Sequence, residues 1–159
     1  MQIDTIAKGY KADLIFSCPP YADLEVYSDL SNDLSNMEYK DFLITYKEII
    51  RKSCEMLNDD RFAVFVVGDV RDKKGFYRNF VSDTIMAFWN CGVILYNEMI
   101  LVNPIAAKAL TVTKQMRYRK VGKHHQNVLV FYKGNPKNIG NNYPELDLSY
   151  IQDIEDGER

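Results

Sequence analysis

The chain of 159 residues predicts an α/β fold: a largely parallel sheet with helices against it and an antiparallel final strand. Three observations predict it. Apolar runs bounded by turn residues recur along the chain, and helical apolar patterns fall between the first three. The last two runs have no helix between them, which suits antiparallel neighbours.

The elements follow in order. Ala12 to Phe16, ADLIF, is a short apolar run that stops at Cys18-Pro19-Pro20, and it reads as a buried strand. Residues 18 to 37 are rich in Asp, Ser and Asn and read as a long polar loop. From Glu38 to Leu57, apolar residues recur at helical spacing, with Asn36 as the expected cap and Asn58-Asp59-Asp60 as the expected stop. Arg61 to Val67, RFAVFVV, is a continuous β-branched and aromatic run, the pattern of a strand buried on both faces. Val81 to Trp89 is a second helix, ending at Cys91-Gly92. Val93 to Val102 is a strand interrupted by Asn97 and Glu98, and Asn127 to Lys133 is the last strand, closed by Gly134. The expected division is a single α/β domain over residues 1–138 and a loosely held acidic tail over 139–159.

Composition narrows the class. No apolar run reaches membrane-spanning length, and the first residues lack the basic and apolar regions of a signal peptide. Three widely spaced cysteines, Cys18, Cys54 and Cys91, fit reduced thiols rather than a disulfide framework or a metal site. The expectation is a cytoplasmic protein without a metal or a membrane partner. Net charge is −2, yet residues 99–144 hold eight Lys and Arg and no acid. Such a basic block in an otherwise acidic chain points to a polyanionic partner. Lys114, Arg117, Arg119, Lys120 and Lys123 lie between two strands, where phosphate contact is the expected role.

In open α/β sheets ligands bind at the carboxyl ends of the strands. Two loops stand there: Ser17 onward and Gly68 onward. Gly68, Asp69 and Arg71 form the second candidate group, with glycine permitting close approach of a ligand. In the first, two prolines fix two φ angles and remove two N–H donors, leaving stiff carbonyls beside the ring of Tyr21. That arrangement suits a planar group with an exocyclic amine, such as a nucleobase drawn out of its helix. Ser17, Asp23 and Tyr27 are the further candidates for lining a base cleft.

A strand ending in Pro-Pro-Tyr resembles the motif of the DNA amino-methyltransferases, which modify N6 of adenine or N4 of cytosine. SCPPYADLEVYSDLSNDLSNM, DDRFAVFVVGDVRDKKGFYRNFVSDTI and KHHQNVLVFYKG together look like the phage and prophage branch of that family, in its order, from about Ala12 to Gly134. The resemblance implies a partial Rossmann-like methyltransferase sheet, its strands corresponding to the fourth through seventh of the family's seven. It also implies S-adenosylmethionine as cofactor and DNA as partner. Cys18, Pro19, Pro20 and Tyr21 would be catalytic: Tyr21 stacking on the flipped base, and the Pro19 carbonyl with the group at position 18 accepting the amine hydrogens. Gly68, Asp69 and Arg71 would be cofactor-adjacent.

Two departures accompany the likeness. Position 18 is a thiol, a poor acceptor, where the family has an oxygen; the neighbouring Ser17 carries a hydroxyl. The family's Gly-rich cofactor loop has no counterpart in the sequence, so the chain matches the half that bears the catalytic motif. The expected function is a DNA amino-methyltransferase represented by that half, with a second chain or another copy supplying the cofactor-binding half. The alternative is a non-catalytic DNA- or partner-binding module of the same descent.

Overall fold

A computed structural model describes residues 6–21, 26–30, 32–104 and 114–148. Four strands form one sheet: β1 (Ala12–Ser17), β2 (Leu57–Val67), β3 (Ile94–Val102) and β4 (His125–Lys133), in the order β1-β2-β4-β3. β1 and β2 are parallel, with Ile15 beside Ala63 and Ser17 beside Phe65. β4 lies antiparallel to both β2 and β3. The last strand therefore enters between two earlier ones, reversed, and β3 runs in the sense of β1 and β2.

Two helices cover one face: α1 (Tyr39–Met56) and α2 (Phe80–Trp89). The first buries Phe42, Tyr46, Ile50 and Cys54, one residue per turn. Alternate residues of the inner strands complete the core: Ala63, Phe65 and Val67 on β2, Leu129 and Phe131 on β4. The Phe88 ring of α2 stacks on Phe131 at 4.0 Å and meets Phe65 edge-on at 4.8 Å. Full burial of each such side chain contributes about 1.5–3 kcal/mol.

Among the described residues the opposite face carries no helix longer than one turn; the short α3 (Ile139–Asn142) leads there into Tyr143. Leu14 and Phe16, paired with Phe62 and Val64, leave 57 % and 65 % of their surfaces open on that side. Phe62 is partly covered by Tyr143, whose ring lies 5.4 Å away and whose hydroxyl donates to the Asp60 carbonyl at 3.0 Å. The described start of the acidic tail is thus docked on the sheet.

Four local expectations change, the first being that β1 is a largely open strand rather than a buried one. The helix is capped at Glu38, whereas Asn36 closes a preceding 3-10 turn and donates its amide to the Ser28 and Leu30 carbonyls. Asn58-Asp59-Asp60 does not end the helix in a loop, because Leu57 is fully buried and the chain turns straight into β2. Four residues of β2 bulge out there, between the Ala12–Leu57 and Leu14–Phe62 pairs, and Asp60 takes a left-handed conformation at φ 58°. Asp13 holds the bulge by accepting from Asn58 at 3.0 Å and Arg61 at 2.9 Å. Those bonds, Asn58 first, keep its carboxyl below the usual range. β2 also has one open face, since Phe62 and Val64 are only half-buried.

Candidate functional site

The parallel strands β1 and β2 end at the same edge of the sheet, and antiparallel β4 begins there. A cavity of about 530 Å³ opens at that edge. Cys18, Pro19, Tyr21 and Tyr27 form one wall, and Gly68, Asp69 and Val70 a second. Asn103, Lys123, His125 and Gln126 form the third. Six of the sequence-derived candidates beside Lys123 therefore meet around one space.

The motif residues are held differently from one another. Cys18 is exposed at the rim. Tyr21 is anchored inward: its ring packs edge-on against Phe80 at 5.6 Å and its hydroxyl oxygen is inaccessible to solvent. Phe80 in turn rests against Phe42 at 5.6 Å and Tyr46 at 5.1 Å, so the motif ring stands on the core itself. Beneath them Tyr46 and Thr84 share a buried 3.1 Å hydrogen bond, and the Thr84 hydroxyl donates to the Phe80 carbonyl at 2.9 Å. Burial pushes the Tyr46 phenol well above its usual range, so it stays a neutral donor. Tyr27 is largely exposed and is tethered through its backbone N–H, which donates to Ser35 Oγ at 3.1 Å. Asp33 holds Ser35 by accepting from both its N–H and its hydroxyl.

On the second wall, Asp69 Oδ1 accepts the Val81 N–H at 3.1 Å, fixing the loop to the start of α2. A Cβ at Gly68 would rest 3.8 Å from Gln126 Cγ and 3.9 Å from the Tyr21 hydroxyl, so three separate parts of the chain converge there. Arg71 turns away from the cavity. Its Nη1 donates to the Gly75 carbonyl at 2.9 Å, and its guanidinium lies 4.0 Å over the Tyr77 ring. Ser17 does not line the cavity either: it pairs with Phe65 on the helix side of the sheet. Pro20 is not among the lining residues, and Asp23 lies outside the described residues.

Of the basic candidates, Lys123 alone reaches the cavity, where its ammonium also donates to Asn127 Oδ1 at 3.4 Å. Asn127 passes the link to Glu98 Oε1 at 2.5 Å. Lys114 and Arg117 lie on a helical turn at 114–117, and Arg119 follows in a left-handed turn at φ 55°. All three are exposed, while Lys120 is half-buried against Gly75. The third wall is what sequence reasoning undervalued. Gln126 and His125 enter because the register Val67–Asn127 sets the start of β4 beside Gly68. Asn103 joins through its N–H bond to the His124 carbonyl at 2.8 Å.

The cavity offers ring surfaces, side-chain amides that donate and accept, one carboxylate and one ammonium. Such a set can grip a flat, polar-edged group with an anion beside it. Among the described residues no cluster of His, Cys, Asp and Glu could hold a metal ion, and no helix is long and apolar enough to cross a membrane.

No family model matches the chain, and no curated protein matches it in sequence. Solved structures do match. TTHA0409 of Thermus thermophilus, assigned as a DNA modification methylase, superposes with a TM-score of 0.58 at 16 % identity, over 94 % of this chain and 54 % of its own. The cytosine-N4-specific PvuII DNA methyltransferase gives 0.52 at 17 % identity, over 94 % and 58 %. M1.HpyAVI in complex with SAM gives 0.51 at 14 % identity, over 83 % and 48 %. The fold is that of the DNA methyltransferases. The chain spans about half the length of these structures, and TTHA0409 has also been solved with S-adenosyl-L-methionine.

The described residues do not make a full cradle for that cofactor. One carboxylate faces the cavity, and its Oδ1 is already engaged by the Val81 N–H. No two of the chain's eight glycines stand closer than six positions, so no Gly-rich turn is present.

Proposed function

We propose that this chain is the base-holding half of a DNA amino-methyltransferase, acting on adenine N6 or cytosine N4. The observation that carries the reading is the meeting of the Pro19–Tyr21 loop, the Gly68–Asp69 loop and the start of β4 around one 530 Å³ cavity. That the fold is a methyltransferase's supports it. In this reading a base flipped from the duplex enters the cavity and lies against the exposed side of the Tyr21 ring. The Pro19 carbonyl, stiffened by Pro20, accepts an amine hydrogen and orients the nitrogen lone pair. Cys18, at the rim, contributes a weak contact where an oxygen would serve better. Gln126 and Asn103 meet the hydrogen-bonding edge of the base, and Lys123 meets its phosphate. Positioning, rather than a covalent enzyme intermediate, is the catalytic contribution. Lys114, Arg117, Arg119 and Lys120 hold the flanking backbone.

Methyl donation belongs to S-adenosylmethionine, bound mainly by residues outside the described set, in another segment or a second chain. The test is calorimetric titration with S-adenosylmethionine and its demethylated product, beside anisotropy of labelled duplex DNA. DNA binding that weakens with salt and falls when Tyr21 becomes Ala supports the reading. Failure to bind DNA at 50 mM salt, or indifference to Tyr21→Ala, overturns it. DNA binding with no cofactor binding at millimolar concentration assigns the cofactor site to the missing half, and methyl transfer should then require that half to be added. Persistent inactivity in its presence would mark the chain as a non-catalytic DNA-binding module.

A further inference from the structure

The loop after the second cavity wall is a built hairpin, and its tip has no role in the pocket. The Arg78 N–H donates to the Val70 carbonyl at 2.9 Å, Arg71 and Tyr77 bridge, and Asp72 pairs with Phe76. Asp72 binds Phe76 twice, donating its N–H to the Phe76 carbonyl at 2.8 Å and accepting the Phe76 N–H on Oδ1 at 2.9 Å. Gly75 takes φ 96°, and Arg71 closes the turn from below through the Gly75 carbonyl and the Tyr77 ring. The return arm is pinned to α1, where the Arg78 guanidinium lies 4.6 Å from the Tyr39 ring. Several bonds thus hold this turn, yet its Phe76 side chain is 71 % exposed.

The surroundings say what such a ring meets. Lys73 and Lys74 flank it on the exposed tip, Lys73 in a loose, solvent-exposed pair with Glu38 at 3.9 Å. The Lys120 ammonium lies so close that a Cβ on Gly75 would stand 2.9 Å from it, so the basic segment and the hairpin form one surface. The two acids of the loop are turned to internal use, Asp69 on the Val81 N–H and Asp72 on the Phe76 N–H. Positive charge with a projecting aromatic fits a nucleic acid better than an apolar protein groove. The tip is also near the cavity: Val70 lines it, and Phe76 pairs two residues further out, roughly 7 Å at strand rise.

We propose that Phe76 is a wedge that enters the base stack of duplex DNA beside the nucleotide drawn into the cavity. Removing a base from the stack leaves a gap, and an aromatic side chain fills it, stabilising the opened duplex. Lys73 and Lys74 seat the tip on the flanking phosphates. The proposal rests on the reading of the cavity as a base pocket and adds the residue that keeps the duplex open.

The experiment compares a labelled duplex of arbitrary sequence with the same duplex carrying one central abasic site, by anisotropy at several salt concentrations. The native chain should bind the abasic duplex about tenfold more tightly, in line with one stacked base lost or gained. Phe76→Ala should abolish that preference while leaving affinity for the intact duplex within about threefold, and Phe76→Trp should retain it. Lys73→Ala with Lys74→Ala should weaken both complexes and lower the salt slope by about two. An unchanged preference in Phe76→Ala, an equal loss on both duplexes, or no preference in the native chain overturns the wedge and leaves the base pocket standing. No binding to either duplex overturns both. Because Phe76 is exposed, its substitution leaves the core intact, and circular dichroism verifies this.

Discussion

Thr84 offers the sharpest test of how the site is supported. It is fully buried, and its hydroxyl stands between the Tyr46 phenol at 3.1 Å and the Phe80 carbonyl at 2.9 Å. If Thr84 donates to the carbonyl, Tyr46 must donate to Thr84. Tyr46→Phe removes one donor and leaves Thr84 its own acceptor, so the loss should be about 0.5–1.5 kcal/mol. Thr84→Val is worse, because it strands the buried phenol without its acceptor, and about 1–3 kcal/mol should be lost. In the double variant the phenol is gone as well. Its cost should fall short of the sum of the singles by about 1 kcal/mol, since the stranding penalty disappears. Urea unfolding followed by far-UV circular dichroism measures all four corners, with a shift of about 2–4 °C in Tm per kcal/mol as a check. Additivity within about 0.4 kcal/mol would refute the argument, because the two hydroxyls would then not depend on each other.

Other expectations follow from the same geometry. Cys18 is the exposed thiol and should alkylate first, whereas burial pushes the Cys54 thiol up to about 12 and should leave it nearly inert. Peptide mapping of the native chain decides this, and duplex DNA should protect Cys18. The bond from the Phe76 N–H, followed by weaker backbone bonds, holds the Asp72 carboxyl below its ordinary value. Its contribution to the hairpin is therefore present above about pH 4 and lost as pH falls through the lowered value. The Phe76 amide shift should report a midpoint below the ordinary carboxylate value, and one at or above that value would contradict the bond. Gly75→Ala combines an unfavourable φ with a crowded Lys120, so the hairpin should loosen by about 1 kcal/mol, seen as faster amide exchange at Phe76. Lys123→Ala should weaken duplex binding and reduce the salt slope by about one.

Much of the architecture was legible in the sequence because runs such as RFAVFVV and NVLVFYK are unlike helices in length and composition. The Pro19–Tyr21 and Gly68–Asp69 loops could be placed by rule, since both follow parallel strands. Other features depend on contacts that no local pattern encodes. Asn58-Asp59-Asp60 has turn composition yet lies in a bulged strand, because buried Leu57 and the Asp13 bonds decide the path. Gln126 and Asn103 join the cavity only because β4 is reversed and inserted between β2 and β3. The inward set of Tyr21 depends on Phe80, far along the chain, and the hairpin tip on the bonds that Val70, Arg71 and Asp72 make to residues 75–78.

The placement of β4 also sets an order of events during synthesis. Its start pairs with residues about sixty positions earlier, Asn127 with Val67, and it fills a slot between strands already made. Until Lys133 has been added, β2 and β3 have no common neighbour, and the third wall of the cavity does not exist. A ribosome adding about 5–20 residues per second leaves those edges waiting for several seconds. The cavity is therefore complete only once β4 has paired, and a chain cut short before β4 would present bare strand edges in its place.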